Sequence, residues 1–340
     1  MKILQILNPV TPLPAKTIGG SERIVEYLMD ELILLGHDVT FMGHDESSFT
    51  NQVKHIPIGT YLDRKKTLKT VWKHLISTKY DVVHNHGRLL YFAPIIYSKT
   101  RKLHTFHMAD LESGFHNFQR MKPKNLTFSP CGKWIQDRYQ SLGGNWHYVN
   151  NGLPISKYSF DNAPITNDNP LVIICRIGPG KGLIDAIEIS RKSNRKLIIA
   201  GKIGDYPHEK EWFNENVGKY LDDKNIKFIG EVNDAQKNAL LNQALALIIP
   251  TKDSEAFNTT MIEANACGCP VISYNRFCFP EYITNGVNGF IGDTIEDLID
   301  TVLKINLINR QNCRTYFEQK YTSKTMALNY QSLYENSINK

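Results

Sequence analysis

A chain of 340 residues, 41% hydrophobic and 22% charged, has room for two cores of about 150 residues each. It contains no run of 18 apolar residues, which excludes a recognisable membrane-crossing helix. Its formal charge of +6 suits an acidic partner: nucleic acid, an anionic membrane surface or a phosphorylated substrate. No zinc-finger spacing, aromatic RNA-binding signature or long basic tail is present, so nucleic acid is not an expected partner. Met1 opens directly on an apolar strand without signal-peptide architecture, which predicts a cytoplasmic protein. Cysteines 131, 175, 267, 269, 278 and 313 show no C-x-x-C spacing and are expected to be reduced, structural thiols.

The first predicted strand is Lys2 to Leu7, and the loop Asn8 to Gly20 leads to a helix starting near Ser21. Gly19 and Gly20 thus fall at a helix N-terminus, where glycine lets a ligand approach free N–H groups; the pair also fits a plain turn. Ile24, Leu28, Leu32 and Leu35 stripe that helix, Gly36 ends it, and Val39 to Met42 forms the next strand. Residues 64–79, RKKTLKTVWKHLISTK, place Leu68, Val71, Trp72, Leu75 and Ile76 at helical intervals, with Lys65, Lys66, Lys69 and Lys73 opposite. Such a basic amphipathic helix fits either packing on its own domain or contact with anionic lipid. Tyr80 to Asn85 is a strand ending in His84, Asn85 and His86, and Lys102 to Phe106 one ending at His107. His104 has the wrong parity to share that edge. Leu126 to Ser129 and a helix from Lys133 to Gln140 continue the alternation.

A hinge is expected near 152–168, because residues 161–170 are rich in Asn, Asp and Pro. The second half restarts with strand Leu171 to Cys175, the turn R-I-G-P-G-K-G and a helix from Leu183 to Ser190. This is not a Walker A loop, since Cys175 stands where Gly is needed and Gly182 where Ser or Thr is needed. Lys196 to Gly201 and Ile226 to Gly230 are further strands. Next comes the stretch densest in chemistry, 245–273: strand Leu245 to Ile249, a polar loop with Glu255, a helix of about ten residues from near Asn258, Gly268, and a second apolar run, Val271 to Ile272. Strand, loop, helix, strand builds a parallel sheet whose ligands sit where the helix begins. Glu255 and Glu263 would flank N–H groups at Phe257 to Thr259, an arrangement suited to a sugar nucleotide; the same acids also simply favour the first turns of a helix. The last helices are expected from Asp297 onward.

The pattern E-x7-E followed by A-x-A-C-G-x-P-V-I resembles the donor-binding signature of the retaining glycosyltransferases of family 4. The resemblance implies an α/β chain of GT-B type: two Rossmann-like domains with parallel sheets facing across a cleft. Residues 1–152 would bind the acceptor, with a helix at about 322–340 packing back on them, and residues 153–321 would bind the donor. It implies that Glu255 faces the donor sugar, that Phe257, Asn258 and Thr259 present N–H groups to the diphosphate, and that Glu263 holds the ribose. G-G-S-E-R after the first strand is similar to the family's loop, which gives Gly19 and Gly20 a donor-binding role. L-H-T-F-H resembles the strand end carrying an active-site histidine, here His107. R-x4-K-G resembles the phosphate clamp, here Arg176 and Lys181, and I-K-F-I-G-E-V the segment whose backbone at Glu231 and Val232 reads the nucleobase. Asn258 stands where the family has Gly, a place suited to Asn through its tolerance of left-handed backbone, and Tyr274 to Phe279 lacks the family's glycines. The implied reaction moves a sugar from a UDP- or GDP-sugar to a hydroxyl of a glycan or lipid-linked acceptor in glycoconjugate synthesis. Neither metal nor cofactor is expected, and Asp222 and Asp223 read as solvated acids. A sugar-nucleotide epimerase or hydrolase and a non-catalytic scaffold subunit are the alternatives. A dehydrogenase is disfavoured, because no G-x-G-x-x-G follows the first strand.

Overall fold

A computed structural model describes residues 1–15, 19–221 and 224–336; Asp222 and Asp223 lie outside the described residues. The chain divides into two compact units, residues 1–154 joined by the segment from Tyr321, and Ile155–Lys320.

The first unit is a seven-stranded parallel sheet. Its strands are β1 (Lys2–Ile6), β2 (Asp38–Gly43), β3 (Lys54–Pro57), β4 (Val82–Asn85), β5 (Arg101–Phe106), β6 (Leu126–Pro130) and β7 (Asn145–Trp146), in the order β3-β2-β1-β4-β5-β6-β7. The order reverses between β1 and β4, and in open parallel sheets that switch point, at the carboxyl ends, is where ligands bind. Helices α1 (Gly20–Leu34), α2 (Arg64–Ser77), α3 (Phe115–Arg120) and α4 (Lys133–Tyr139) make four of the six crossovers, and a 3-10 segment at Leu89–Ile95 joins β4 to β5. Ile24, Leu28 and Leu32 of α1 are buried as their spacing requires, while Leu35, expected in the same stripe, is the half-buried C-cap. Along α2, Val71 and Leu75 are buried, while Ile76, expected in the same stripe, is 73% exposed. Position 76 falls on the flank of the packed face, and Thr67 takes the inner place, its hydroxyl donating to the carbonyl of Ile58 at 2.8 Å.

The second unit repeats the plan with six strands: β8 (Leu171–Ile174), β9 (Leu197–Ala200), β10 (Ile226–Phe228), β11 (Ala246–Ile249), β12 (Val271–Tyr274) and β13 (Gly289–Gly292), in the order β10-β9-β8-β11-β12-β13. Its switch point lies between β8 and β11. Strand β11 is buried at every residue, as expected when helices cover both faces of a parallel sheet. Those helices are α5 (Leu183–Lys192), α6 (Pro207–Asn216), α7 (Asp234–Gln243), α8 (Thr259–Ala266), α9 (Phe279–Tyr282), α10 (Ile295–Lys304) and α11 (Arg310–Lys320). The final helix, α12 (Ser323–Asn336), belongs to the first unit.

Short helices need help at their ends, and α11 supplies it to α7 and α8. The buried Arg310 guanidinium donates to the carbonyls of Leu241, Asn242, Ala244 and Cys267, at 2.8 to 3.2 Å. Arg314 adds bonds to the carbonyls of Tyr158 and Ala266. Cations at helix C-termini satisfy orphan carbonyls and oppose the negative end of the dipole. Replacing Arg310 by Met should therefore lower unfolding free energy by about 3 kcal/mol, since several buried acceptors lose their donor at once. Urea denaturation of the variant checks this, and an unchanged midpoint contradicts it.

Candidate functional site

Two clusters of polar residues sit at the two switch points, one in each unit. In the second unit the turn after β8 and the loop after β11 are bolted together through one carbonyl. The Gly180 oxygen accepts from the N–H of Lys252 at 2.8 Å, the N–H of Asp253 at 3.3 Å and the hydroxyl of Thr251 at 3.1 Å. Gly182 makes this approach possible: its φ is +75°, and a Cβ there would lie 1.9 Å from the Pro250 carbonyl oxygen. No other residue fits both conditions. The result is that Lys181 meets the acids of the second loop, its ammonium 2.7 Å from Glu255 Oε1 and 3.4 Å from Asp253 Oδ2. Burial works against that ammonium, but Glu255 and Asp253 outweigh it and hold the lysine pKa above its usual value. Cys175, just before the turn, is pushed up to about 12 by burial and stays an unreactive thiol.

Helix α8 starts one residue later than the sequence suggests. Asn258 is its N-cap, with extended backbone at φ −108° and its side chain accepting from the Met261 N–H at 3.0 Å. Capping geometry, not tolerance of left-handed backbone, is thus the reason Asn fits there. Among the described residues, the N–H groups of Phe257, Asn258 and Thr259 meet no acceptor. Glu263, one turn on, is 2% exposed; its Oε1 accepts from Lys237 at 2.6 Å and Tyr158 at 3.0 Å, and its Oε2 is buried without a partner among the described residues. Arg176 does not join Lys181. It pairs with Glu209 at the start of α6 and is 65% exposed. Glu231 and Val232 lie in the loop before α7, which the Gly230 carbonyl ties to Gly201 N–H at 2.8 Å.

In the first unit Gly19 caps α1 with φ +140°, and the Glu22 carboxylate crowds it: an added Cβ would lie 3.2 Å from Glu22 Oε2. His107 follows β5 at the carboxyl edge, half-buried, with its Nε2 2.9 Å from His86 Nδ1. His86 in turn meets Gln5 Oε1 at 2.8 Å. Beneath them His84 bridges Tyr334 and Thr105, each at 2.7 Å, and Thr105 meets Tyr330 at 3.0 Å. Parity explains the grouping, since Gln5, His84, His86, Thr105 and His107 all project from one face. His104 points to the other, packing edge-on to Phe106 with centroids 4.5 Å apart. The sequence does not mark Tyr330 or Tyr334, and for Gln5 its signal is a lone amide inside the apolar run K-I-L-Q-I.

Burial depresses all four histidines: His107 to about 4, His104 to about 3, and His84 and His86 well below the usual value. All are neutral near pH 7. Because the unfolded chain binds these protons near pH 6.5 and the folded one does not, stability is full above about pH 6.5 and declines as pH falls towards about 4. Each histidine can contribute up to about 1.4 kcal/mol per pH unit. Urea midpoints measured across that range should fall, and His104→Gln should reduce the slope by about one proton. An equal slope in the variant counts against this account.

Residues 155–320 match the family described as glycosyl transferases group 1, and residues 18–142 match glycosyltransferase family 4. A phosphatidyl-myo-inositol mannosyltransferase of Propionibacterium freudenreichii is 33% identical over 69 residues, covering 20% of this chain and 18% of the relative. The gpi3 subunit of phosphatidylinositol N-acetylglucosaminyltransferase from Schizosaccharomyces pombe is 24% identical over 327 residues, 84% of this chain and 70% of the relative. The chain thus spans about a fifth of the first relative's length and more than two thirds of the second's. Among solved structures, Anabaena HepE in complex with UDP-glucose superposes with a TM-score of 0.75 at 14% identity, covering 99% of this chain and all of that one. With two parallel-sheet units, matched family segments in both halves and the acidic motif at the second switch point, this chain belongs to the GT-B glycosyltransferases of the family 4 type.

Proposed function

We propose that the protein transfers a sugar, with retention of anomeric configuration, from a nucleoside-diphosphate donor to an acceptor hydroxyl, and that it needs no divalent metal. The observation that carries this reading is the second-unit cluster: one part-buried ammonium, two carboxylates and a helix end with unclaimed N–H groups around one turn. A diphosphate supplies what these groups lack. Its oxygens would take the N–H groups of Phe257, Asn258 and Thr259 and draw Lys181 from Asp253, so that cationic and dipolar charge meets the negative charge growing on the leaving group. Glu255 then accepts from hydroxyls of the donor sugar, and the unpartnered Oε2 of Glu263 from a ribose hydroxyl. Arg176 joins the clamp on this reading by exchanging Glu209 for phosphate. Glu231 and Val232 are read as the nucleobase contact, Gly19 and Gly20 as a backbone approach in the first unit, and His107 as a contact to the sugar. HepE, which resembles this chain in fold, binds UDP-glucose, which favours a UDP-sugar.

Lys181→Ala and Glu255→Ala should each cut transfer about 100-fold in protein that unfolds normally. A donor nucleotide at about 100 times its Kd should stabilise the wild type by about 2.7 kcal/mol, UDP ahead of GDP and ADP, and turnover should survive EDTA. Full activity in folded Lys181→Ala overturns the clamp, and strict dependence on magnesium or manganese overturns the metal-free mechanism.

For the acceptor we propose a glycan or lipid-linked molecule reached at an anionic membrane surface. Among the described residues no helix is long and apolar enough to cross a membrane. Exposed Lys65, Lys66, Lys69 and Lys73 on α2 lie near Leu62, 92% exposed, and Ile76. A cavity of about 150 Å³ beside α2 is lined by Asn8, Tyr61, Arg64, Leu68, Arg88 and Tyr91. Near-surface cations add about 1 kcal/mol each on anionic lipid. Vesicles with phosphatidylglycerol should sediment the protein at low salt, and reversal of Lys65, Lys66 and Lys69 to Glu should abolish this. Equal binding to neutral vesicles contradicts the proposal.

A further inference from the structure

The polar groups under His107 form one continuous chain, and its hydrogen-bond directions can be assigned from end to end. An amide cannot reverse its polarity by moving a proton, so Gln5 sets the direction. Its Oε1 only accepts, which requires His86 to carry its proton on Nε2, 2.8 Å away. Neutral His86 then has a lone pair on Nδ1, and His107 must donate to it through Nε2–H at 2.9 Å. In the other direction Gln5 Nε2 donates to the Tyr334 hydroxyl at 3.4 Å, Tyr334 donates to His84 Nδ1, His84 Nε2–H donates to Thr105, and Thr105 donates to Tyr330. Every link has one donor and one acceptor. Gln5, His84, Thr105, Tyr330 and Tyr334 are all within 2% of complete burial, and His86 is 7% exposed. His107 is the half-buried end of the chain, and among the described residues nothing occupies its Nδ1.

We propose that Gln5 and His86 are positioning residues which fix His107 as the neutral Nε2–H tautomer, so that its Nδ1 lone pair accepts a hydrogen bond from a ligand hydroxyl. The ligand group it takes must thus be a donor, which excludes an oxyanion or carbonyl; on the donor-sugar reading that donor is a sugar hydroxyl, which the transferred sugar must keep free at that contact. The functional half of this inference rests on reading His107 as a donor-sugar contact; the tautomer assignment does not. Tyr330 and Tyr334 extend the restraint into α12, so a helix more than 200 residues away in sequence helps orient the ring.

The test is long-range ¹H–¹⁵N correlation of the full-length, ¹⁵N-labelled protein near pH 7.5, with assignment by loss of signals in His107→Gln. His84, His86 and His107 should all carry the proton on Nε2. A proton on Nδ1 of His107 means that the chain runs the other way and overturns the proposal. Gln5→Leu and His86→Leu should both lose the single His107 tautomer and lower kcat/KM for the donor about three- to tenfold, the worth of one hydrogen bond. His86→Asn, whose Oδ1 stands in for the ring Nδ1, should restore both readouts relative to His86→Leu. Should Gln5→Leu fail to fold, the wild-type spectrum and the His86 pair still decide the matter. Loss in His86→Leu without recovery in His86→Asn marks His86 as structural packing and overturns its positioning role. A protein inactive in transfer that shows the Nε2–H pattern removes the functional reading while upholding the tautomer assignment.

Discussion

The second unit depends on how closely two loops can approach. Gly182 sits with a left-handed backbone against the Pro250 carbonyl, and the Gly180 carbonyl collects three donors from the loop after β11. Without that contact Lys181 and Glu255 have no reason to meet, because they lie in loops that follow different strands and are 74 residues apart in sequence. The contact works because short side chains let backbone satisfy backbone where a larger residue would force the loops apart.

That arrangement leaves the cluster charged and under-satisfied in complementary ways. Among the described residues, Lys181 faces two carboxylates, the N–H groups at the start of α8 meet no acceptor, and Glu263 keeps one oxygen buried and unpartnered. Fully satisfied networks rigidify a core, whereas groups held without partners store affinity for something that supplies them. Asn258 tunes this balance. As an N-cap it takes the Met261 N–H for the protein itself, which removes one donor from the open end of the helix.

The first unit uses the opposite strategy, with a chain of neutral groups each paired to the next. Burial keeps the histidines uncharged, and one end of the chain is the half-buried ring of His107 at the sheet edge. The aromatic packing of Phe106, Phe115, Phe128 and Trp146, with centroids 4.9 to 6.1 Å apart, holds the other face of the same sheet, so β5 is restrained from both sides. Cation capping by Arg310 and Arg314 does comparable work for α7 and α8. In both units, residues far along the chain from the site determine how well it is built.

Sequence by itself determined the local pieces. Apolar runs bounded by Gly and Pro gave most strands to within a residue or two, the stripe of α1 holds from Ile24 to Leu32, and the parity of His104 placed it away from His107. These follow from short-range periodicity, which tertiary context rarely overrides in buried parallel sheets. Strand β7 has only two residues, and β3, K-H-I-P at the sheet's edge, has no apolar run to mark it; the exposure of Ile76 depended on which flank of α2 met the sheet. Partner choice also lay outside the sequence: that Arg176 turns to Glu209, that Glu263 is held by Lys237 and Tyr158, and that Gln5 and Tyr334 stand behind His107. Each is a contact between elements whose separation along the chain carries no signal, and only the folded sheets, by setting which side chains share a face, decided them.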